Sequence, residues 1–123
     1  MNPLRLEQDG RVLVDTVEVA ARLPERMRGL LGRRALPPGR ALLITPCSGI
    51  HTFFMRFALD VLFLDRDLAV VKAVANVRPG RCVAGGRAAN AVLEMQAGWF
   101  PLDTVAAGDR LTLRSRQEIP GDG

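Results

Sequence analysis

Two charged side chains lie inside the most apolar part of the sequence. Residues 50–65 contain four of the five phenylalanines and the only histidine, and Arg56 and Asp60 stand among them, four residues apart. A charge beside so much apolar surface is costly unless it has a partner. Arg56 and Asp60 are therefore predicted either to form a salt bridge that clamps two core strands or to face a ligand. The sequence favours the salt bridge and leaves the ligand-facing arrangement open.

A third ionisable residue, Glu94, is predicted to join that pair from another strand. It belongs to an alternating run, 91–97, and lies on the face that we predict to point away from the core. Carboxylates and a guanidinium in an apolar cradle suit a small polar ligand that has an apolar body. Phe53, Phe54 and Met55 would supply the cradle. This region is accordingly the predicted binding site.

The thiols and the imidazole give a weaker signal. Cys47-x-x-x-His51 is compatible with half of a metal site, or with the nucleophile and base of a Cys/His hydrolase. Zinc would need two more ligands, of which Cys82 supplies at most one, and no signature of a catalytic cysteine surrounds Cys47. We expect no metal, no cofactor and no catalytic residues. The hydrolase stays an alternative, and a disulfide between the two cysteines is less expected than free thiols.

The strongest electrostatic feature is a cluster of arginines around a predicted helix. Pro24 suits the first helical position and Gly32 indicates a stop. The simplest interpretation is a solvated helix face. The alternative is an anion-binding patch, which would make the chain a nucleic-acid accessory protein that uses the Arg-rich helix 22–34. The arginines are Arg22, Arg26, Arg28, Arg33, Arg34 and Arg40, with Glu25 the only acid among them.

Phe53 and Phe54 are predicted to pack in the core rather than to bind nucleic acid. Exposed aromatic rings can act as stacking platforms for single strands. Adjacent residues on a strand point to opposite faces, however, so only one of the two would face outward. Nucleic acid is therefore an alternative partner and not the favoured one.

Short apolar runs separated by tight turns predict a mainly β domain with one short packed helix. A small antiparallel β-barrel or a rolled sheet is the favoured architecture. The whole chain, 1–123, is predicted to be one domain, and the residues after about 116 are expected to fray. Strands are expected at 11–20, with Val12 and Val14 on one face, Val17 and Val19 on the other and a bulge near Asp15-Thr16, and at 41–45, 61–64, 69–74, 91–97 and 110–114. Residues 50–65 are expected to contain a strand pair of the core. A hairpin turn is expected at 65–67, a polar loop bounded by the turn residues 78–80, and a short helical turn in 99–105.

The composition is typical of a soluble globular domain. Hydrophobic residues make up 48% of the chain and charged residues 24%. No apolar run approaches the roughly 20 residues that cross a bilayer, and residues 1–10 lack the apolar region of a secretory signal. We therefore expect a cytoplasmic protein that does not bind membranes. A net charge of +4 is by itself a weak indication of nucleic-acid binding.

One run, HTFFMRFALDVLFLD at residues 51–65, combines an aromatic-Met-basic triplet with Leu-Asp and an apolar strand that ends in Asp. This pattern closely resembles the signature of the bacterial and archaeal family called domain of unknown function 192. Segments 24–33, 91–95 and 108–110 resemble the family too, whereas Phe57-Ala58 departs from the Asn-Thr of many members. The resemblance implies a small, mostly β, barrel-like domain with one packed helix and no established activity.

No catalytic residues follow from the resemblance. The matching positions that could carry a shared function are Arg28, Met55, Arg56, Asp60 and Glu94, to which we add His51 at the start of the run. We predict an uncharacterised small soluble β domain. It would bind a small polar or anionic ligand, or a protein partner, through the Arg56/Asp60/Glu94 region.

Overall fold

The computed structural model describes residues 4–22, 30 and 32–115. The predicted helix, with Arg26 and Arg28, and the predicted frayed end lie outside the described residues. The described residues form nine strands and a single 3₁₀ turn, Leu102–Thr104: β1 Leu4–Gln8, β2 Arg11–Ala20, β3 Arg40–Ile44, β4 Gly49–His51, β5 Leu59–Leu64, β6 Val70–Val77, β7 Cys82–Ala84, β8 Ala91–Gln96 and β9 Thr112–Ser115.

Seven of these strands form one mixed sheet in the order β6-β5-β8-β3-β2-β1-β9, and β4 pairs with β7 in a second, small sheet. The pair β2–β3 is parallel and the other pairs are antiparallel. The two edges of the large sheet approach each other through a bridge between Ala69 and Arg110. The prediction of a mainly β rolled sheet is confirmed, but the sheet is neither a closed barrel nor purely antiparallel.

Both faces of the large sheet are covered by apolar side chains. Along β5, Leu62 and Leu64 belong to one core, and Val61 and Phe63 belong to the other, because successive side chains of a strand point to opposite faces. We call these the first core and the second core. Chain segments outside the large sheet cover the second core, to which they contribute Leu30, Leu36, Met55 and Val83.

The predicted bulge in β2 is present. Leu4 pairs with Val17 and Leu6 pairs with Val14, so two residues of β2 lie opposite one residue of β1. The extra residue shifts the alternation and brings Val14 and Val17 to the same, first core. The sequence analysis placed these two valines on opposite faces, which is wrong. The extra residue of the bulge returns the side chain of Val17 to the face that carries Val14.

The most apolar stretch of the sequence is not a strand pair. Residues 52–58 form a loop between β4 and β5, and only 59–64 continue as a strand. Phe53 and Phe54, predicted to pack in the core, are 44% and 88% exposed. They occupy the centre of a tight turn that the N–H of Met55 closes on the carbonyl of Thr52 at 3.2 Å.

Three other local predictions are confirmed: the hairpin, the short helical turn and the free thiols. The hairpin at 65–67 joins β5 to β6, and the Asp65 carboxylate caps it by accepting the N–H groups of Asp67 and Ala69. The short helical turn in 99–105 is present as the 3₁₀ turn, and both cysteines are free thiols. In the part of the chain that the structure describes, no helix is long and apolar enough to span a membrane.

Candidate functional site

Asp60 is a buried anchor of the backbone. The residue is 5% exposed, and its carboxylate accepts the N–H of Asn76 at 2.9 Å and the N–H of Gly98 at 3.2 Å. Asn76 has φ +53° and lies in a bulge of β6, where the register shifts between Leu59 and Val61. Asp60 therefore supplies the acceptor that the bulged strand needs, and it fixes the position of Asn76.

The predicted salt bridge between Arg56 and Asp60 does not form. Arg56 is exposed, and it makes no ion pair or hydrogen bond with any residue that the structure describes. The charge of Asp60 is instead satisfied by backbone amides from two separate segments. The physical reason is that amides, unlike a long guanidinium side chain, reach a buried carboxylate without bringing a second charge into the core.

Glu94 lies on the other side of the sheet from Asp60. It pairs with Val61, a residue of the second core, whereas Asp60 pairs with Met95, a residue of the first. Glu94 is 5% exposed, so the prediction that its face points away from the core is wrong: that face is covered by the second core. Burial raises the pKa of Glu94 from 4.5 to about 7. Arg56, Asp60 and Glu94 thus do not form one cluster.

A groove of about 340 Å³ that could hold a ligand lies between β6 and β7. Its apolar wall is formed by Val74, Val77 and Val83, which contact the second core. Lys72 spans the two strands at one end, where its Nζ donates to the carbonyl of Ala84 at 2.9 Å. The eight lining residues include two arginines and no acid: Val74, Ala75, Asn76, Val77, Arg78, Arg81, Cys82 and Val83.

The two arginines of the groove occupy the ends of one tight turn, Arg78-Pro79-Gly80-Arg81. Proline at the second position and glycine with φ +84° at the third are typical of a type II turn, in which the first and last Cα atoms lie within about 7 Å. Both arginines are exposed. Their guanidinium groups therefore start from neighbouring points of a rigid turn and can approach one anion together.

Thr52 holds this turn in place. Its side chain is fully buried, and its hydroxyl donates to the Arg78 carbonyl at 2.6 Å and accepts the Arg81 N–H at 2.9 Å. The backbone of Thr52 adds two bonds, from its N–H to the Arg81 carbonyl at 2.8 Å and to its carbonyl from the Gly80 N–H at 2.9 Å. The turn thus wraps around a single buried residue. We call residues 78–81 the arginine turn.

Thr52 also begins the turn that carries the exposed phenylalanines. Phe54 has φ +64°, a conformation that costs a bulky L-residue on the order of 1–2 kcal/mol and that glycine or asparagine usually occupies. The Phe53 ring lies beside the His51 ring, with centroids 5.5 Å apart and an interplanar angle of 31°. We call His51, Phe53 and Phe54 the aromatic tip.

The remaining predicted site residues are dispersed around these features. His51 pairs with Cys82, which lines the groove, and Met55 is buried in the second core under the turn of the aromatic tip. Arg28 lies outside the described residues. Whether any member of the predicted set binds a ligand stays a prediction.

The thiol and imidazole groups do not assemble into a metal centre. Cys47 donates its thiol hydrogen to the Gly49 carbonyl at 3.1 Å, and His51 lies opposite Cys82 on the small sheet. Over residues 4–22, 30 and 32–115, no three side chains of the His, Cys, Asp and Glu types are placed to hold a metal ion. Of the predicted arginine cluster, Arg33 is paired with Glu18 at 2.8 Å.

Sequence analysis did not identify the arginine turn or Thr52 as parts of a site. Pro79-Gly80 was recognisable as a turn, but a turn alone does not show that its flanking arginines border a groove. Thr52 gave no signal, because its role depends on contacts with residues 78–81, far along the chain.

These features define the class of the protein: a rolled, mixed β-sheet domain with two cores, whose surface carries a basic groove beside an exposed aromatic turn. The chain belongs to the domain of unknown function 192 family, described as uncharacterised ACR, whose sequence model matches residues 4–113. The resemblance seen in residues 51–65 is thereby confirmed.

One relative supports the family, and two solved structures support the fold. The chain is 36% identical to a UPF0127 protein of Pyrococcus abyssi over 101 residues, which are 77% of this chain and 83% of that protein. A proposed transcription regulator from Sinorhizobium meliloti has a similar structure, with a TM-score of 0.77, 27% identity, and coverage of 90% of this chain and 92% of that one. A protein of unknown function from Novosphingobium aromaticivorans shares the fold, with a TM-score of 0.76, 22% identity, and coverage of 89% and 83%.

Proposed function

We propose that this protein is a binding module for an anionic ligand, which it holds in the groove between β6 and β7. The ligand is a small molecule or an acidic group of a partner. The observation that carries the proposal is the arginine turn, whose two arginines line a groove that has no acidic lining residue. Planar guanidinium groups bind carboxylates and phosphates in a bidentate manner.

The proposed site differs from the site predicted from the sequence, but some of the predicted residues support it. Asp60 does not face the ligand; it positions Asn76, which lines the groove, through the bond of 2.9 Å. Met55 supports the neighbouring turn from within the second core. His51 is exposed and pairs with the groove residue Cys82, so it would form part of the rim. The exposed Arg56 follows Phe54 by two residues in the chain and would add positive charge there.

Pre-organisation supports anion binding at this place rather than at an arbitrary pair of surface arginines. The four bonds that Thr52 makes fix both ends of the arginine turn before a ligand arrives. A ligand therefore does not bear the conformational cost of ordering the backbone, although it orders the two side chains. The apolar wall of Val74, Val77 and Val83 would accommodate a ligand body behind the anionic group.

The test is calorimetric titration with inorganic pyrophosphate and with ribose 5-phosphate. We expect binding that weakens as salt increases, since part of the attraction is between exposed charges. The double variant Arg78→Gln, Arg81→Gln should lose at least tenfold in affinity. The double variant Arg66→Gln, Arg114→Gln is the matched control, because it removes the same net charge from exposed positions outside the groove. Equal losses in the two double variants would refute the proposal.

A further inference from the structure

The aromatic tip and the arginine turn are parts of one surface. The two turns share Thr52: the N–H of Thr52 bonds to the carbonyl of Arg81, and the next two residues are Phe53 and Phe54. His51, on the other side of Thr52, lies opposite the groove residue Cys82. The aromatic tip and the arginine turn therefore lie on adjacent backbone segments, and both carry exposed side chains.

The conformation of Phe54 supports a binding role for this surface. The Phe54 side chain is 88% exposed, so it contributes little buried apolar surface to the stability of the fold. Its φ of +64° is in addition unfavourable for its residue type. Backbone strain of this kind persists where the surrounding structure enforces it, and it is concentrated at ligand-binding positions. Here the turn is enforced by the Met55 N–H and by the buried Thr52.

We propose that the ligand of this surface is a nucleotide unit, with its phosphate on the arginine turn and its base stacked on the aromatic tip. The inference rests on the proposed anion-binding function and adds the ligand class. Aromatic side chains bind nucleobases of any sequence by stacking, whereas arginines bind the phosphate. A groove of about 340 Å³ is large enough for a ligand of this size.

The presence of the groove favours a nucleotide over a membrane surface as the ligand. An exposed aromatic turn flanked by arginines resembles the surfaces that insert into anionic bilayers. A bilayer surface would contact the tip but would leave the recess between β6 and β7 empty. A nucleotide fills the recess and contacts the tip at the same time, so it accounts for both features.

The experiment compares AMP with ribose 5-phosphate in calorimetric titrations of the wild-type protein and two variants. AMP should bind roughly 5- to 150-fold more tightly than ribose 5-phosphate, which is the usual contribution of one stacked base. Phe54→Asn should abolish that difference and leave the affinity for ribose 5-phosphate unchanged. Asparagine tolerates positive φ, so this variant should fold with an unchanged or raised Tm. Phe100→Leu, a change in the buried first core, should keep the difference.

A further titration identifies the source of the nucleotide. Single-stranded oligothymidylate of about eight residues lies within the usual site size of such proteins. Tighter binding of the oligonucleotide than of the mononucleotide supports a single strand as the ligand, and equal binding supports a free nucleotide.

The results that contradict the inference are distinct from those that contradict the proposed function. Equal affinities for AMP and ribose 5-phosphate in the wild-type protein would overturn the nucleotide inference and leave anion binding standing. Absence of binding by every phosphate would overturn both. Cosedimentation with phosphatidylserine vesicles that Phe54→Asn abolishes, without nucleotide binding, would replace the nucleotide with a membrane surface.

Discussion

The hydroxyl of Thr52 donates to the carbonyl of Arg78 at 2.6 Å, and the same hydroxyl accepts the N–H of Arg81 at 2.9 Å. In a β-turn these two backbone groups often bond directly to each other. Here a buried side chain from another segment lies between them. The orientation of the arginine turn is therefore determined by the loop that leads to the aromatic tip, and a change at Thr52 should affect both.

Thr52→Val is expected to lower both stability and anion affinity. Valine has a similar shape but lacks the hydroxyl, so it leaves the Arg78 carbonyl and the Arg81 N–H without this partner. We expect a loss of about 1–3 kcal/mol in the free energy of unfolding. Chemical denaturation in urea measures it, and Thr52→Ser, which keeps the hydroxyl, is the control. If Thr52→Val binds ribose 5-phosphate as tightly as the wild type, the turn does not need this anchor.

Asp60→Asn is expected to destabilise the fold without removing a ligand contact. The amide can accept one of the two backbone N–H groups, but its NH₂ group would oppose the other. Loss of a hydrogen bond to a charged group costs about 1.5–3 kcal/mol. Hydrogen exchange should accelerate at the amides of Asn76 and Gly98, which the carboxylate now holds. The control is Asp67→Asn, because Asp67 is exposed in the β5–β6 turn. Unchanged protection of both amides in Asp60→Asn would show that the bonds are dispensable.

Glu94 should make the protein less stable as the pH rises. Burial raises the pKa of the folded-state carboxyl from 4.5 to about 7, so the folded state binds a proton more tightly than the unfolded state. The favourable contribution is complete below pH 4.5 and is lost as the pH rises through about 7. The full change corresponds to roughly 3 kcal/mol.

Glu94→Gln tests this pH dependence. It should be more stable than the wild type at pH 8 and similar to it near pH 4.5, because glutamine is neutral throughout. Denaturant unfolding over this pH range measures the difference. Asp103→Asn, a change at an exposed acid of the 3₁₀ turn, should keep the wild-type profile. A wild-type stability that does not decline between pH 5 and 8 would contradict a buried neutral carboxyl.

Gly85→Ala is expected to disturb the end of β7. A Cβ atom at this position would lie 2.4 Å from the Phe63 ring and 2.7 Å from the Ala89 Cβ, and Phe63 is fully buried. Overpacking of this kind typically costs about 1–3 kcal/mol. Thermal unfolding checks the prediction, with Gly49→Ala as the control, because its new Cβ would meet its nearest neighbour at an ordinary 3.4 Å. Equal Tm values for the two variants would show that the residues around Gly85 can shift at little energetic cost.

The sequence predicted those elements whose signals are local. The bulge of β2, the hairpin at 65–67 and the alternation of β8 each depend on residues that are neighbours in the chain. The small sheet of β4 and β7 was missed, because three-residue strands are too short to show a period of two.

The site was less predictable for two physical reasons. Phe53 and Phe54 are of a residue type that usually packs in the core. A turn with a positive φ at phenylalanine is too rare to be expected from the sequence. The charge of Asp60 correctly indicated a need for partners. Those partners are backbone amides of distant residues, which every sequence contains and which therefore give no signal.

The central claim is that the arginine turn and its groove bind an anion. The most direct measurement is a two-dimensional amide NMR titration of the protein with ribose 5-phosphate, in wild type and in the double variant Arg78→Gln, Arg81→Gln. We predict saturable shifts concentrated at residues 74–83 and at Thr52, and their loss in the double variant. Shifts concentrated at Arg33 and Arg34 instead, or no shifts at millimolar ligand, would contradict the claim.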